Sequence, residues 1–142
     1  MRCLGLDLGV TSLGVAATDP SNTIAFPVET IKFAGGDYDE ALEKLKSIIN
    51  EYKVTTLVLG LPKNMDGSLG FAAERSLEFK KKLDALGLEV VLEDERLTTV
   101  EALNIMKNNG MKKINRRGNI DAAAAVIILE GYLKRVKVEK NN

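Results

Sequence analysis

Apolar and polar positions change period along the chain, and the changes mark its elements. Residues 2 to 8, Arg-Cys-Leu-Gly-Leu-Asp-Leu, form an apolar run interrupted by one carboxylate, the pattern of a buried strand, and Gly9 ends it. After the turn Gly9-Val10-Thr11-Ser12, strand character resumes from Leu13 to Thr18. Asp19-Pro20-Ser21-Asn22 is turn chemistry, and Thr23 to Phe33 completes a predicted three-stranded meander. Between Asp39 and Lys53, the residues Leu42, Leu45, Ile48, Ile49 and Tyr52 recur at helical spacing and predict one amphipathic helix. Thr55 to Leu61 is a β-branched and leucine-rich run of the kind buried on both faces of a sheet, so a central strand is expected there. Ser68 reads as the N-cap of a helix carrying Phe71, Ala72, Arg75, Phe79, Leu83 and Leu86, with Gly87 placed to stop it. Leu88 to Leu92 predicts the last strand. Thr98-Thr99-Val100-Glu101 has capping-box spacing and predicts a helix to about Asn109. Asn119 caps a final helix to about Arg135, and Val138 to Asn142 reads as a frayed tail.

Three strands in a row followed by alternating helix and strand predict a mixed α/β arrangement rather than a doubly wound sheet. A chain of 142 residues suits one domain, expected over residues 1–137 with the tail at 138–142. With 45% apolar and 28% charged residues and no stretch near the roughly 20 apolar residues of a membrane span, no membrane association is expected. The N-terminus enters a strand at once, without the basic start and cleavage site of a secretory signal, which predicts the cytoplasm.

Residue types then narrow the chemistry. The lone cysteine, Cys3, can form neither an intramolecular disulfide nor a zinc site by itself, and it reads as a small apolar residue in a buried strand. Histidine is absent, which removes His-based triads, imidazole metal ligands and the usual general base. Any catalysis would run on carboxylates, lysines, hydroxyls or a hard metal ion. Twenty basic and twenty acidic side chains cancel, so nucleic-acid binding would require locally segregated positive charge.

Three acidic positions stand out. Asp7 sits within Leu4-Gly5-Leu6-Asp7-Leu8, where a buried unpaired carboxylate costs several kcal/mol. It either bonds to the following turn or faces a ligand from the strand end. Asp121 falls on one side of a helical wheel with Ala125, Ile128 and Tyr132, nearly opposite Glu130 and Lys134, and so points toward the core. The run Ala122 to Ala125 would let this helix approach the sheet closely. The third group comes from Glu93-Asp94-Glu95-Arg96, where strand alternation does not choose among the acids and a solvated acidic turn is the plain alternative. Three carboxylates from three segments, each ending a core element, match the hard oxygen donors that magnesium requires.

Four stretches in order resemble the motifs of one known family across nearly the whole chain. They are Gly5-Leu6-Asp7-Leu8-Gly9 with Leu13-Gly14-Val15-Ala16, Leu59-Gly60-Leu61-Pro62-Lys63-Asn64-Met65-Asp66-Gly67-Ser68, Asp94-Glu95-Arg96-Leu97-Thr98-Thr99, and Ile120-Asp121-Ala122-Ala123-Ala124. The family is YqgF, also called RuvX, described as Holliday junction resolvases or pre-16S rRNA nucleases. The resemblance implies a ribonuclease H-like fold with a mixed five-stranded sheet flanked by helices, bacterial cytoplasm, and maturation of the 5′ end of 16S rRNA. It assigns the metal ligands, for Mg²⁺ or Mn²⁺, to Asp7, Glu95 and Asp121, with Asp94 as the rival of Glu95. One position departs: Thr11 stands where many members carry a basic residue, so no phosphate contact is carried over to that turn.

On this reading the reaction is phosphodiester hydrolysis with two metal ions about 4 Å apart. Lys107, Lys112, Lys113, Arg116 and Arg117 bracket the segment before the last helix and supply a local positive field, or else form a solvated loop. Arg96 would bridge to a phosphate or neutralise its acidic neighbours. Asn64 and Ser68, in the loop after the central strand, are candidate substrate contacts or plain turn chemistry. The expected partner is structured RNA such as pre-16S rRNA, or branched DNA, bound by a monomer or weak homodimer. Rival readings are a Holliday junction resolvase, a catalytically silent RNA-binding assembly factor, and a nucleotide-binding protein akin to sugar kinases and actin-like ATPases. Length opposes the last, since those proteins hold nucleotide between two such domains.

Overall fold

The computed structural model describes residues 2–63, 66–94 and 120–140. Strands β1 (Arg2–Leu8), β2 (Ser12–Thr18) and β3 (Ala25–Lys32) form the expected meander, followed by helix α1 (Tyr38–Tyr52), strand β4 (Val54–Leu61), helix α2 (Phe71–Asp84), strand β5 (Glu89–Asp94) and helix α3 (Ile120–Lys140). One five-stranded sheet has the order β3-β2-β1-β4-β5. β1 pairs antiparallel with β2 and parallel with β4, and β4 pairs parallel with β5. Thus β1, β4 and β5 all end at the same edge of the sheet. The sheet is mixed, as the order of elements in the chain predicts.

Strand alternation divides the core in two. On one face Leu4, Leu6, Leu57, Leu59, Leu45, Phe79 and Leu83 pack together beneath α1 and α2. On the other, Cys3, Ala16 and Val58 pack against Ala125, Ile128 and Leu129 of α3. β4 is buried on both faces, as its unbroken apolar run requires. Ala122 to Ala125 are all buried, whereas Glu130 and Lys134 are exposed, in agreement with the helical wheel.

The closest approach of helix to sheet is at Gly5. A Cβ built there would stand 2.6 Å from the Ala125 carbonyl oxygen and 2.8 Å from the Leu129 Cβ. The backbone of α3 therefore rests directly on β1, which only a glycine below and small residues above allow.

Local chemistry explains most boundaries. The Asp37 side chain accepts from the Glu40 amide to cap α1, and Lys53 ends it in the left-handed region at φ 52°. Gly87, at φ 83°, turns the chain after α2. Two expectations are corrected. Ser68 does not cap α2: the helix starts at Phe71 with Gly70 as its cap residue, while Ser68 donates its amide and hydroxyl to Asp66 Oδ1 at 2.9 and 2.6 Å. An aspartate two residues back is the nearer acceptor, and it folds the serine into the turn. The last helix runs to Lys140, past its expected end near Arg135. The helix predicted at 98–109 and its capping box, and the Asn119 cap, lie outside the described residues.

The turn between β2 and β3 is built on Asp19, whose carboxylate accepts from the amides of Thr23 (2.7 Å) and Ile24 (3.0 Å) and from the hydroxyls of Ser21 and Thr23. These donors hold its pKa well below the usual carboxylate range, the Ile24 amide most strongly.

Gly5→Ala should lower stability by about 1–3 kcal/mol through overpacking, read as a lower urea midpoint at unchanged slope. Asp19, whose folded pKa is depressed, stabilises the fold above its unfolded pKa of about 4 and loses that contribution as pH falls through the folded value. Asp19→Asn should therefore lower stability at neutral pH and shrink the further loss seen on acidification below about pH 4. Thermal melts across that range provide the check.

Candidate active site

Asp7 is the penultimate residue of β1 and is half-buried. Cys3, two alternations earlier, packs under α3, so Asp7 stands on the α3 side of the sheet. The chain then reverses through Gly9, whose amide donates to the Ser12 carbonyl at 2.8 Å, and that turn is braced by Phe33 and Gly36 amides donating to Thr11 and Val10. The alignment across the sheet is informative. Leu6 pairs with Leu59 and Leu59 with Leu92, so the next row contains Asp7, Gly60 and Glu93. All three lie on the α3 side, and Gly60 puts no side chain between the two carboxylates. At about 4.8 Å per strand, the Cα atoms of Asp7 and Glu93 stand roughly 10 Å apart.

The pleat now separates the acids that the sequence left undivided. Glu93 shares the face of Asp7. Asp94 pairs with Leu61 and shares the opposite face, that of Leu92 and Leu59, where its Oδ2 lies 3.8 Å from the Lys63 ammonium. The carboxylate of Glu93 is engaged with Arg135 of α3, at 2.7 Å from Nη2 and 3.2 Å from Nε. Arg135 is a site-edge residue that sequence reading missed, because nothing in the chain signals a partner 42 positions away.

Of the other expected site residues, Ser68 lies in the folded loop after β4 with its hydroxyl turned to Asp66. Asp121 belongs to the first turn of α3, the helix laid over the face that Asp7 shares; its side chain is not among those described. Glu95, Arg96, Lys112, Lys113, Arg116, Arg117 and Asn64, and with them Lys107, lie outside the described residues. Among the described residues no three potential ligands gather into a metal-binding group. Among them too, no helix is long and apolar enough to cross a membrane.

A family model described as "RuvX: Holliday junction resolvase" matches residues 1–135. The chain belongs to this family. It is 43% identical over 143 residues, the full length of both chains, to a Ruminiclostridium cellulolyticum protein named "Putative pre-16S rRNA nuclease". A Lactococcus lactis protein of the same name is 44% identical, over 93% of each chain. Among solved structures, the chain resembles Thermus thermophilus RuvC in complex with a Holliday junction, at a TM-score of 0.61 and 14% identity over 96% of both chains. It also resembles the fowlpox virus Holliday junction resolvase, at 0.57 and 12% over 96% of this chain and 99% of that one. At such low identity these two establish the fold, which is the expected ribonuclease H-like one. In the RuvX chain the row of Asp7, Gly60 and Glu93 thus sits at the strand ends of that fold.

Cys3, on the same face as Asp7, is fully buried, and burial pushes its thiol pKa up. It is a packing residue and not a nucleophile. Cys3 should resist alkylation by iodoacetamide at pH 8 in the folded protein and react promptly in denaturant, as mass spectrometry would show; rapid labelling of the native chain would contradict its burial.

Proposed function

We propose that this chain is a metal-dependent nuclease that hydrolyses phosphodiester bonds, acting in the cytoplasm on the 5′ end of pre-16S rRNA. The observation that carries the reading is the position of Asp7: a half-buried carboxylate at the end of a central strand, on the face that the last helix covers, in one row with Gly60 and Glu93. Family membership over 135 residues supplies the chemical context. The names of the full-length relatives supply the substrate.

Asp7, Glu95 and Asp121 are assigned as the ligand set. The pleat counts against Asp94, which lies on the opposite face from Asp7 and near Lys63; Glu95 is the acid that the family motif assigns. A set of carboxylates in a chain without histidine suits a hard cation, Mg²⁺ or Mn²⁺. When bound, such ions provide Lewis-acid stabilisation of the charge that develops on the phosphodiester oxygens. The residues of the chain do the rest. The three acids would hold the ions. Lys112, Lys113, Arg116 and Arg117, with Arg96, neutralise flanking phosphates, which a chain of zero net charge needs from a local cluster. Asn64 and Ser68 contact the sugar-phosphate backbone from the loop after β4. The protein acts as a monomer or weak homodimer.

Cleavage of four-way DNA junctions is the second reading, favoured by the fold shared with resolvases and by the description of the family. Incubation with structured precursor RNA and with four-way junctions, each with Mg²⁺, Mn²⁺ or chelator, separates the two. Metal-dependent RNA cleavage supports the main reading and junction cleavage the second. Asp7→Asn and Glu95→Gln should each reduce cleavage by at least about a hundredfold with the thermal midpoint nearly unchanged, whereas Asp94→Asn should retain activity within a few-fold. Undiminished cleavage by Asp7→Asn would refute the ligand assignment.

A further inference from the structure

We infer that Glu93 and Arg135 form a latch that sets α3 against β5 and thereby positions the metal-binding acids; the inference rests on the nuclease reading above. Three observations carry it. The Glu93 side chain is only 15% exposed and lies against the helix, where a Cβ added to Gly131 would stand 3.5 Å from its Oε2, so alanine would just touch it and a larger residue would displace it. One turn on, the Arg135 guanidinium reaches Glu93 Oε1 through two nitrogens, at 2.7 and 3.2 Å. That guanidinium also stands 5.5 Å over the ring of Tyr132, a half-buried residue packed against the cluster beneath α3, so it is held from two sides.

The physical need for such a latch follows from what else holds α3. An apolar set of contacts, through alanines, Ile128 and Leu129, holds it to the sheet. Apolar contact resists separation but is non-directional, and the close seat at Ala125 and Leu129 leaves the setting of the later turn to other contacts. The charge-assisted bonds from Arg135 to Glu93 are directional and fix that setting. The two elements they join are those that carry ligands: α3 holds Asp121 in its first turn, and β5 leads through Glu93 into Glu95. Neither latch residue touches metal or substrate on this account; both are positioning residues.

Mn²⁺ binding to the full chain, followed by the loss of free-ion electron paramagnetic resonance signal, tests this directly. Glu93→Gln and Arg135→Met should each weaken Mn²⁺ binding about tenfold, the low end for residues that orient metal ligands. The double variant should be no weaker than either alone, because both changes open one contact. Tighter binding by Arg135→Met would mean that Glu93, once released, is itself a ligand or attracts the ion by its charge, and would overturn the latch. Unchanged affinity in both variants, with Asp7→Asn abolishing binding, would overturn it while leaving the metal site standing. Should either variant fail to fold, Arg135→Lys, which keeps the charge and loses the two-pronged contact, carries the same expectation of weaker binding. A wild-type chain that does not bind Mn²⁺ would overturn the metal-site reading and the latch together.

Discussion

The structure depends on the contact between the backbone of α3 and the strand β1 at Gly5. The Ala125 carbonyl and the Leu129 Cβ occupy the volume where any side chain at position 5 would stand, so helix and strand meet more closely there than a side chain would allow. That approach turns one face of the sheet into a tightly covered surface, with Cys3, Ala16 and Val58 beneath the helix. It also frames the position of Asp7. Asp7 follows Gly5 on the same face by one alternation, just beyond the covered patch, and there it keeps partial access to solvent. Had the helix stood further out, water would have reached the whole row, and a carboxylate at position 7 would have been an ordinary surface group.

The sheet adds a second constraint. Parallel pairing of β1, β4 and β5 brings their C-terminal ends to one edge, and the register aligns Asp7, Gly60 and Glu93. The opposite face is filled by leucines and by Phe79, which anchor α1 and α2. A carboxylate that emerges on that side, as Asp94 does, joins a lysine at the rim. The face on which an acid emerges therefore separates the roles of neighbouring acids more sharply than their order in the chain. The Glu93 to Arg135 contact belongs to the same geometry, because it forms where the edge strand passes under the later turns of α3.

Much of the fold was legible because its signals are local. The meander, the amphipathic α1 and the doubly buried β4 each follow from periodicity or turn chemistry within a few residues, whereas α2 ends at Asp84, before the expected stop at Gly87. The buried side of α3 followed from a helical wheel. Ser68 misled because a serine before an apolar helical pattern fits both an N-cap and an aspartate turn, and Asp66 is the nearer partner. The end of α3 misled because the segment 136–140, Val-Lys-Val-Glu-Lys, alternates with period two and does not extend the helical apolar spacing, although it continues the helix.

The sequence by itself determined the order and type of most elements, the absence of imidazole chemistry from a chain without histidine, and membership of a family recognisable from four short motifs. Local backbone preference and side-chain identity suffice for these. Only the tertiary structure decided which faces Glu93 and Asp94 approach, since alternation needs a register to anchor it and the register is set by pairing with β4. The same holds for Gly5 as the seat of α3 and for Arg135 as the partner of Glu93. Both contacts join residues far apart in the chain, and no local signal encodes them.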